Sequence, residues 1–470
     1  MPGVHTFYDG SRILEPVAEG IGVEVDILNL VFCQIISIPM AILYRNYLGP
    51  ETVSRNIRLW SSTVVGLVLC YFCYGNAIKH PIALIAASYS IMRWSPSVYV
   101  HKLVFCFSMG YLIFIHWFRW YVLTSYSIDI TGPMMVLTQK VTTMAFSLHD
   151  GKVKKTDELT PIQKREALNE MPSVLEYMSY LFHFQTILTG PLCFYADYID
   201  FVDGKEMSEE ERRKINVWQG ALPKLLTSLV LMIIVAIFQN DYKPEIIVQP
   251  DKLLMPAYRW WMLYWFVIFL KRVQYYYAWT VADGIANLSG FGFNGYDEDH
   301  RPKWDLISNV HIMKFELAFN FKESLDNWNI TTMYWLRRVA YERVPKKYGT
   351  VATYMLSAMW HGFFLGYYMT FLTGALMTLA ARTARRCLRY RFQQTLFWSR
   401  TYDVITFLVT KTSMAYTTFP FVTLHLYPAL YLYKQLNFSY HILALSIIFL
   451  LPLILPPQRR SNVVEARKIE

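Results

Sequence analysis

Stretches without a charged side chain recur along the whole chain, at 27–44, 59–78, 103–118, 177–196, 225–240, 351–381, 412–433 and 442–458. Several reach the roughly 18–20 apolar residues that a bilayer core demands. Shorter apolar runs at 81–92 and 260–270 fit tilted, re-entrant or protein-buried segments. The pattern predicts about ten membrane-embedded helices around one internal tunnel, because irregular backbone survives in a bilayer only where protein or water covers it. The expected fold class is all-α and polytopic, with 1–470 acting as a single integral membrane domain.

Three polar stretches interrupt this pattern. Residues 147–173 contain a surface helix over 160–170, started by Thr160 and Pro161. Residues 197–220 are mixed in charge and helical in part. Residues 283–349 are too polar to span yet full of Trp, Phe and Tyr, which fits an amphipathic, site-forming region. Basic residues cluster at 337–347 and 382–400, on either side of the run 351–381. If that run crosses once, the clusters face opposite sides. If it enters and returns, they share the cytoplasmic side, and the sequence leaves both paths open.

Composition supports this picture. A soluble chain of 470 residues would divide into two or three domains, but 54% of this one is hydrophobic and 17% aromatic. The net charge of +10 comes from residues flanking apolar runs, not from one independent patch, so nucleic acid is not an expected partner. The first residues carry acidic side chains and no apolar h-region, so the first span is expected to act as its own insertion signal. The six cysteines (33, 70, 73, 106, 193 and 387) lie mostly in apolar stretches and read as small hydrophobes. They lack metal-ligand spacing, so no metal is expected. Residues 459–470 form a polar tail, and its Arg467 and Lys468 resemble a dibasic endoplasmic-reticulum retrieval signal. The expected location is the endoplasmic reticulum membrane, with multiple passes.

His361 is the one histidine, and the one acidic or basic residue, in 351–381. Ionisable groups inside apolar spans are functional candidates by default, although a helix–helix hydrogen bond is an equal alternative. A desolvated imidazole stays neutral, which is the form a general base needs. Gly362 and Gly366 follow as a G-x-x-x-G pair, fitted for close helix packing or for leaving room beside a substrate. Asn329 lies in LDNWNITTMYWLRR. It formally heads a glycosylation sequon, but its aromatic surroundings argue against an exposed loop. It fits a cap for a helix beginning at Ile330, or a donor to a developing oxyanion. No phosphate-binding loop and no G-x-S-x-G elbow is present.

These residues, with the many spans, resemble the membrane-bound O-acyltransferases. The match is nearest the lysophospholipid acyltransferase branch, in particular its lysophosphatidylethanolamine and lysophosphatidylserine members. Six ordered strings carry it: 130–151, 171–201, SGFGFNGYD (289–297), WDLISNV (304–310), LDNWNITT (325–332) and LSAMWHGFFLGYYMTF (356–371). Two departures, Thr331 where the branch has Gln and Leu365 where it has Pro, bear on acceptor or acyl preference and not on reaction class.

The resemblance implies transfer of a long unsaturated acyl chain from acyl-CoA, a co-substrate, to a lysophospholipid, with no cofactor. His361 would be the base and Asn329 the oxyanion donor or thioester-orienting group. Trp328, Trp360, Gly362 and Tyr367 are implied substrate neighbours. Arg337 and Arg338 offer guanidinium forks to the phosphates of CoA. Two alternatives remain: a protein or peptide O-acyltransferase of the same superfamily, and a non-catalytic lipid transporter, which the lack of an internal repeat disfavours.

Overall fold

The computed structural model describes residues 8–123 and 128–458. Arg467, Lys468 and the rest of the expected polar tail lie outside the described residues. The described residues are largely helical, and isolated bridges join Tyr296 to Pro302 and Val310 to Trp328. The described residues form two compact units. The first holds 8–123, 128–232, 275–309 and 331–339, and the second holds 233–274, 310–330 and 340–458.

After a short helix at Glu15–Ile21, the first unit continues with α1 (Val25–Tyr47), α2 (Arg55–Tyr74), α3 (Lys79–Trp94) and α4 (Val100–Val122). α1 and α4 turn Phe32, Ile35, Leu43, Phe114, Trp117 and Phe118 outward. Contiguous apolar faces of this kind are at odds with water and suited to lipid. α5 (Thr131–Val153) is different: it is buried on nearly every side although it carries Gln139, Lys140, Thr142, Ser147 and Asp150. Buried polar groups require internal partners, and α5 finds them. Lys140 Nζ donates to Tyr180 O, His183 Nε2 and Thr186 Oγ1 at 2.9, 2.9 and 3.2 Å, which matches three acceptors to the three hydrogens of an ammonium.

The polar stretches fold as short capped helices. In α6 (Pro161–Glu166) Thr160 and Gln163 form a reciprocal capping box, so the expected start is found and the helix is shorter than 160–170. α7 (Val174–Phe182) has the same device at Ser173 and Glu176. α8 (Tyr195–Asp203) ends on Gly204. The apolar run 177–196 is therefore a helix end, a turn and a helix start, not a span.

α9 (Trp218–Phe238) and α10 (Ala257–Ser289) contribute to both units. Two short helices, Ile312–Glu316 and Phe321–Asp326, then lead to α11 (Ile330–Val339). The second unit continues with α12 (Lys346–His361), α13 (Leu365–Phe392), α14 (Leu396–Thr423), α15 (Leu426–Gln435) and α16 (Ser439–Phe449). Its core gathers Ile247, Trp260, Tyr264, Val267, Phe419 and Leu432.

Run 351–381 doubles back on itself. Arg382 Nη1 donates to Thr350 Oγ1 at 3.0 Å, and Tyr354 Oη lies 2.6 Å from Thr378 Oγ1. Near the tip the His361 and Phe371 rings are 4.9 Å apart. The pairings run in opposite directions along α12 and α13, which form an antiparallel hairpin. Residues 343–347 and 382–391 therefore share one end of it.

The expected count of about ten membrane segments is not confirmed by length and composition. Among the described residues four helical stretches qualify, Val25–Tyr47, Arg55–Trp94, Val100–Val122 and Trp218–Phe238, or five if the pair Leu426–Gln435 and Ser439–Ile454, bent by 71°, counts as one. The hairpin at 351–381 and the turn within 177–196 account for part of the difference.

Candidate active site

His361 is the last residue of α12, and Gly362 ends the helix with φ +118°, a backbone only glycine adopts freely. The histidine is half-buried. Its Nδ1 lies 2.7 Å from Ser357 O, one turn back in the same helix. A carbonyl only accepts, so Nδ1 carries the hydrogen and Nε2 carries the lone pair of the neutral ring. Four aromatic rings surround the imidazole: Trp360 at 4.6 Å, Phe371 at 4.9 Å, Phe421 at 5.1 Å and Tyr367 at 5.4 Å between centroids. Trp360 and Tyr367 are buried. The carbonyl end of a helix dipole also lies at this ring, a favourable place for positive charge.

The two glycines divide the expected roles. Gly362 serves the chain reversal. A Cβ on Gly366 would stand 2.1 Å from Pro420 O, and Gly366 N donates to Leu424 O at 3.0 Å. Gly366 therefore brings the start of α13 against the end of α14, and close packing explains it.

Asn329 lies in the same unit as His361, on a separate segment, immediately before α11. Its φ is +48°, in the left-handed region that asparagine tolerates better than other side chains. Trp328 pairs with Val310 in an isolated antiparallel bridge, and His311 N donates to Asn327 O at 3.1 Å. The Trp328 ring packs 5.2 Å from Phe315. Arg272 and Lys411 sit over that Phe315 ring, and Arg272 also grips Glu316 with two hydrogen bonds of 2.8 and 2.9 Å.

Arg337 and Arg338 fall in the first unit. Arg337 is exposed, whereas Arg338 is buried, donates to Ser147 Oγ at 3.0 Å and faces Asp150 at 3.6 Å. It is the last rung of a ladder between α11 and α5. Gln139 Nε2 donates to Thr332 Oγ1 at 2.9 Å, and Trp335 Nε1 donates to Thr142 Oγ1 at 2.9 Å. The sequence reading missed this face of α5. Its signal was available: Gln139, Thr142, Ser147 and Asp150 recur at three- to five-residue spacing inside a stretch otherwise fit for a core. Asn309 was missed too. Its Oδ1 accepts from both Thr331 N and Thr331 Oγ1, at 3.0 and 2.8 Å.

Among the described residues no group of three or more His, Cys, Asp or Glu side chains is placed to hold a metal ion. The site offers a base-competent imidazole in an apolar aromatic shell, suited to accepting a proton from a weakly acidic hydroxyl where water is scarce.

A profile of the membrane-bound O-acyltransferases matches residues 115–427. The chain is 41% identical to lysophospholipid acyltransferase 6 of Drosophila melanogaster, over 96% of this chain and 65% of that protein. It is 39% identical to human membrane-bound glycerophospholipid O-acyltransferase 2, over 97% and 90% of the two chains. With mouse membrane-bound glycerophospholipid O-acyltransferase 1 the figures are 38%, 96% and 95%. The helical fold, helices long and apolar enough to cross a membrane, and these relatives together define a multi-pass membrane acyltransferase. The chain belongs to the membrane-bound O-acyltransferase family.

Proposed function

We propose that this chain transfers a long unsaturated acyl group from acyl-CoA to the free glycerol hydroxyl of a lysophospholipid, with lysophosphatidylethanolamine or lysophosphatidylserine as preferred acceptors. The observation that carries the chemistry is the His361 Nδ1 contact with Ser357 O, which leaves the basic lone pair on Nε2. The relatives' names, which specify lysophospholipid and glycerophospholipid acylation, support the acceptor class. His361 Nε2 takes the hydroxyl proton as the oxygen attacks the thioester carbonyl carbon. The amide of Asn329 donates to the carbonyl oxygen as it becomes an oxyanion. The intermediate collapses by breaking the C–S bond, the imidazolium returns its proton to the leaving thiolate, and the products are a phospholipid ester and free CoA. A base contributes roughly 10²–10⁴-fold and one oxyanion donor on the order of 10²–10³-fold.

Trp328, Trp360, Gly362 and Tyr367 lie beside the two reacting side chains in sequence or space and are assigned to substrate. The exposed Arg337 is assigned to the phosphates of acyl-CoA. For Arg338, the ion pair with Asp150 supports holding α11 in place more than meeting substrate. The reaction is assigned to the endoplasmic reticulum membrane, and of the stretch 283–349 the segment 310–330, which carries Asn329, lies in the same unit as His361.

Headgroup choice is tested by competing lysophosphatidylethanolamine, lysophosphatidylserine, lysophosphatidylcholine and lysophosphatidylinositol at equal concentration with oleoyl-CoA and comparing kcat/KM. The first two should lead. A clear lead for choline or inositol would overturn the headgroup assignment alone, and acylation of a peptide but of no lysolipid would overturn the whole reading.

A further inference from the structure

The residue before a helix normally caps it: extended in backbone, it offers its side-chain oxygen to the amide two or three positions into the helix. Asn329 occupies that position before α11, but its φ of +48° is not a cap's extended backbone. The amide two positions into the helix, Thr331 N, is bonded instead to Asn309 Oδ1. The same oxygen takes the Thr331 hydroxyl, and Asn309 is 3% exposed. An N–H and a hydroxyl converge on this atom, so it is the amide oxygen and not the nitrogen. On the other side of Asn329, Trp328 is held by Val310, the residue after Asn309. The two chain positions flanking the short Asn329–Ile330 step are thus fixed by consecutive residues of the 304–310 string.

We propose that Asn309 is a positioning residue for the acyl transfer. It caps α11 from outside the helix, takes over at Thr331 the work that Asn329 would otherwise do, and so lets Asn329 keep a left-handed backbone and a set direction for its amide. This rests on the reading of Asn329 given above. A group set only a fraction of an ångström from its productive place loses much of its effect on rate, and about 1 Å can cost on the order of 10²-fold. Ground-state binding of lipid and acyl-CoA, spread over other contacts, should change little.

The test is a double-mutant cycle on the full-length protein purified in detergent, with oleoyl-CoA and lysophosphatidylethanolamine as probes. Asn309→Ala should lower kcat by about 10- to 100-fold with both KM values within about twofold. Asn309→Asp, which keeps an acceptor oxygen, should recover most of it. In an Asn329→Gly background, where no amide remains to be positioned, Asn309→Ala should change kcat less than about twofold. An equal loss in both backgrounds, a loss confined to KM, an undiminished kcat, or failure of both Asn309 variants to fold would each overturn the proposal. A normal kcat for Asn329→Gly by itself would instead overturn the role of Asn329, and this proposal with it.

Discussion

Asn329 combines the chemical role proposed above with an unusual backbone, and the two can be separated. At φ +48° an L side chain other than asparagine or aspartate costs roughly 1–2 kcal/mol, whereas glycine costs little. Asn329→Gly should therefore keep the thermal stability of the parent while losing about 10²–10³-fold in kcat. Asn329→Ala should lose a similar amount of rate and, in addition, roughly 1 kcal/mol of stability. Thermal unfolding in detergent beside steady-state kinetics checks both, and a Gly variant that is destabilised but active would make the asparagine a backbone residue only. Much of this was legible beforehand. His361 stood out as a lone imidazole in an apolar run, and Asn329 as a polar residue between Trp328 and Ile330. The direction of the imidazole was not legible, because it depends on a bond to a carbonyl four residues back in a helix whose end is set by Gly362.

At the scale of elements, α5 and α11 illustrate what a hydropathy reading leaves out. A buried helix with a polar face is read as a poor span until its partners are known, and those partners, Thr332, Trp335 and Arg338, lie nearly two hundred residues on. Capping signals were better guides: Thr160 and Pro161 started a helix where expected. The end of α6 also carries a pH dependence. Burial raises the Glu166 carboxyl to about 7, against the opposing pull of Arg338 and Arg165. The folded chain thus holds a proton that the unfolded chain releases near 4.5. Stability from this group is greatest below the unfolded value, falls as pH rises from about 4.5 towards 7, and then levels off. The swing is on the order of 1–3 kcal/mol. Glu166→Gln should flatten the fall in Tm between pH 5 and pH 8 and raise Tm at pH 8. A parent whose Tm climbs across that range, or a variant with the same slope, would contradict the assignment.

For the whole molecule, the sequence made a membrane enzyme visible but left the path of 351–381 open. The antiparallel pairing of α12 and α13 decides that the run returns, so the basic residues before and after it lie at one end. With Cys106, the exposed native cysteine among those described, replaced, single cysteines at Lys347 and Arg389 in sealed microsomes should react with a membrane-impermeant maleimide from the same side. Labelling from opposite sides would contradict the hairpin.

If His361 is the base for acyl transfer to a lysolipid, release of free CoA reads its work directly. Purified protein given oleoyl-CoA should release thiol at a rate that depends on added lysophosphatidylethanolamine or lysophosphatidylserine. His361→Ala should lower that rate by about 10²–10⁴-fold while remaining folded and still binding acyl-CoA. Thiol release that ignores the lysolipid, or a folded His361→Ala variant that turns over at the parental rate, would rule out His361 as the base of a lysolipid acyltransferase.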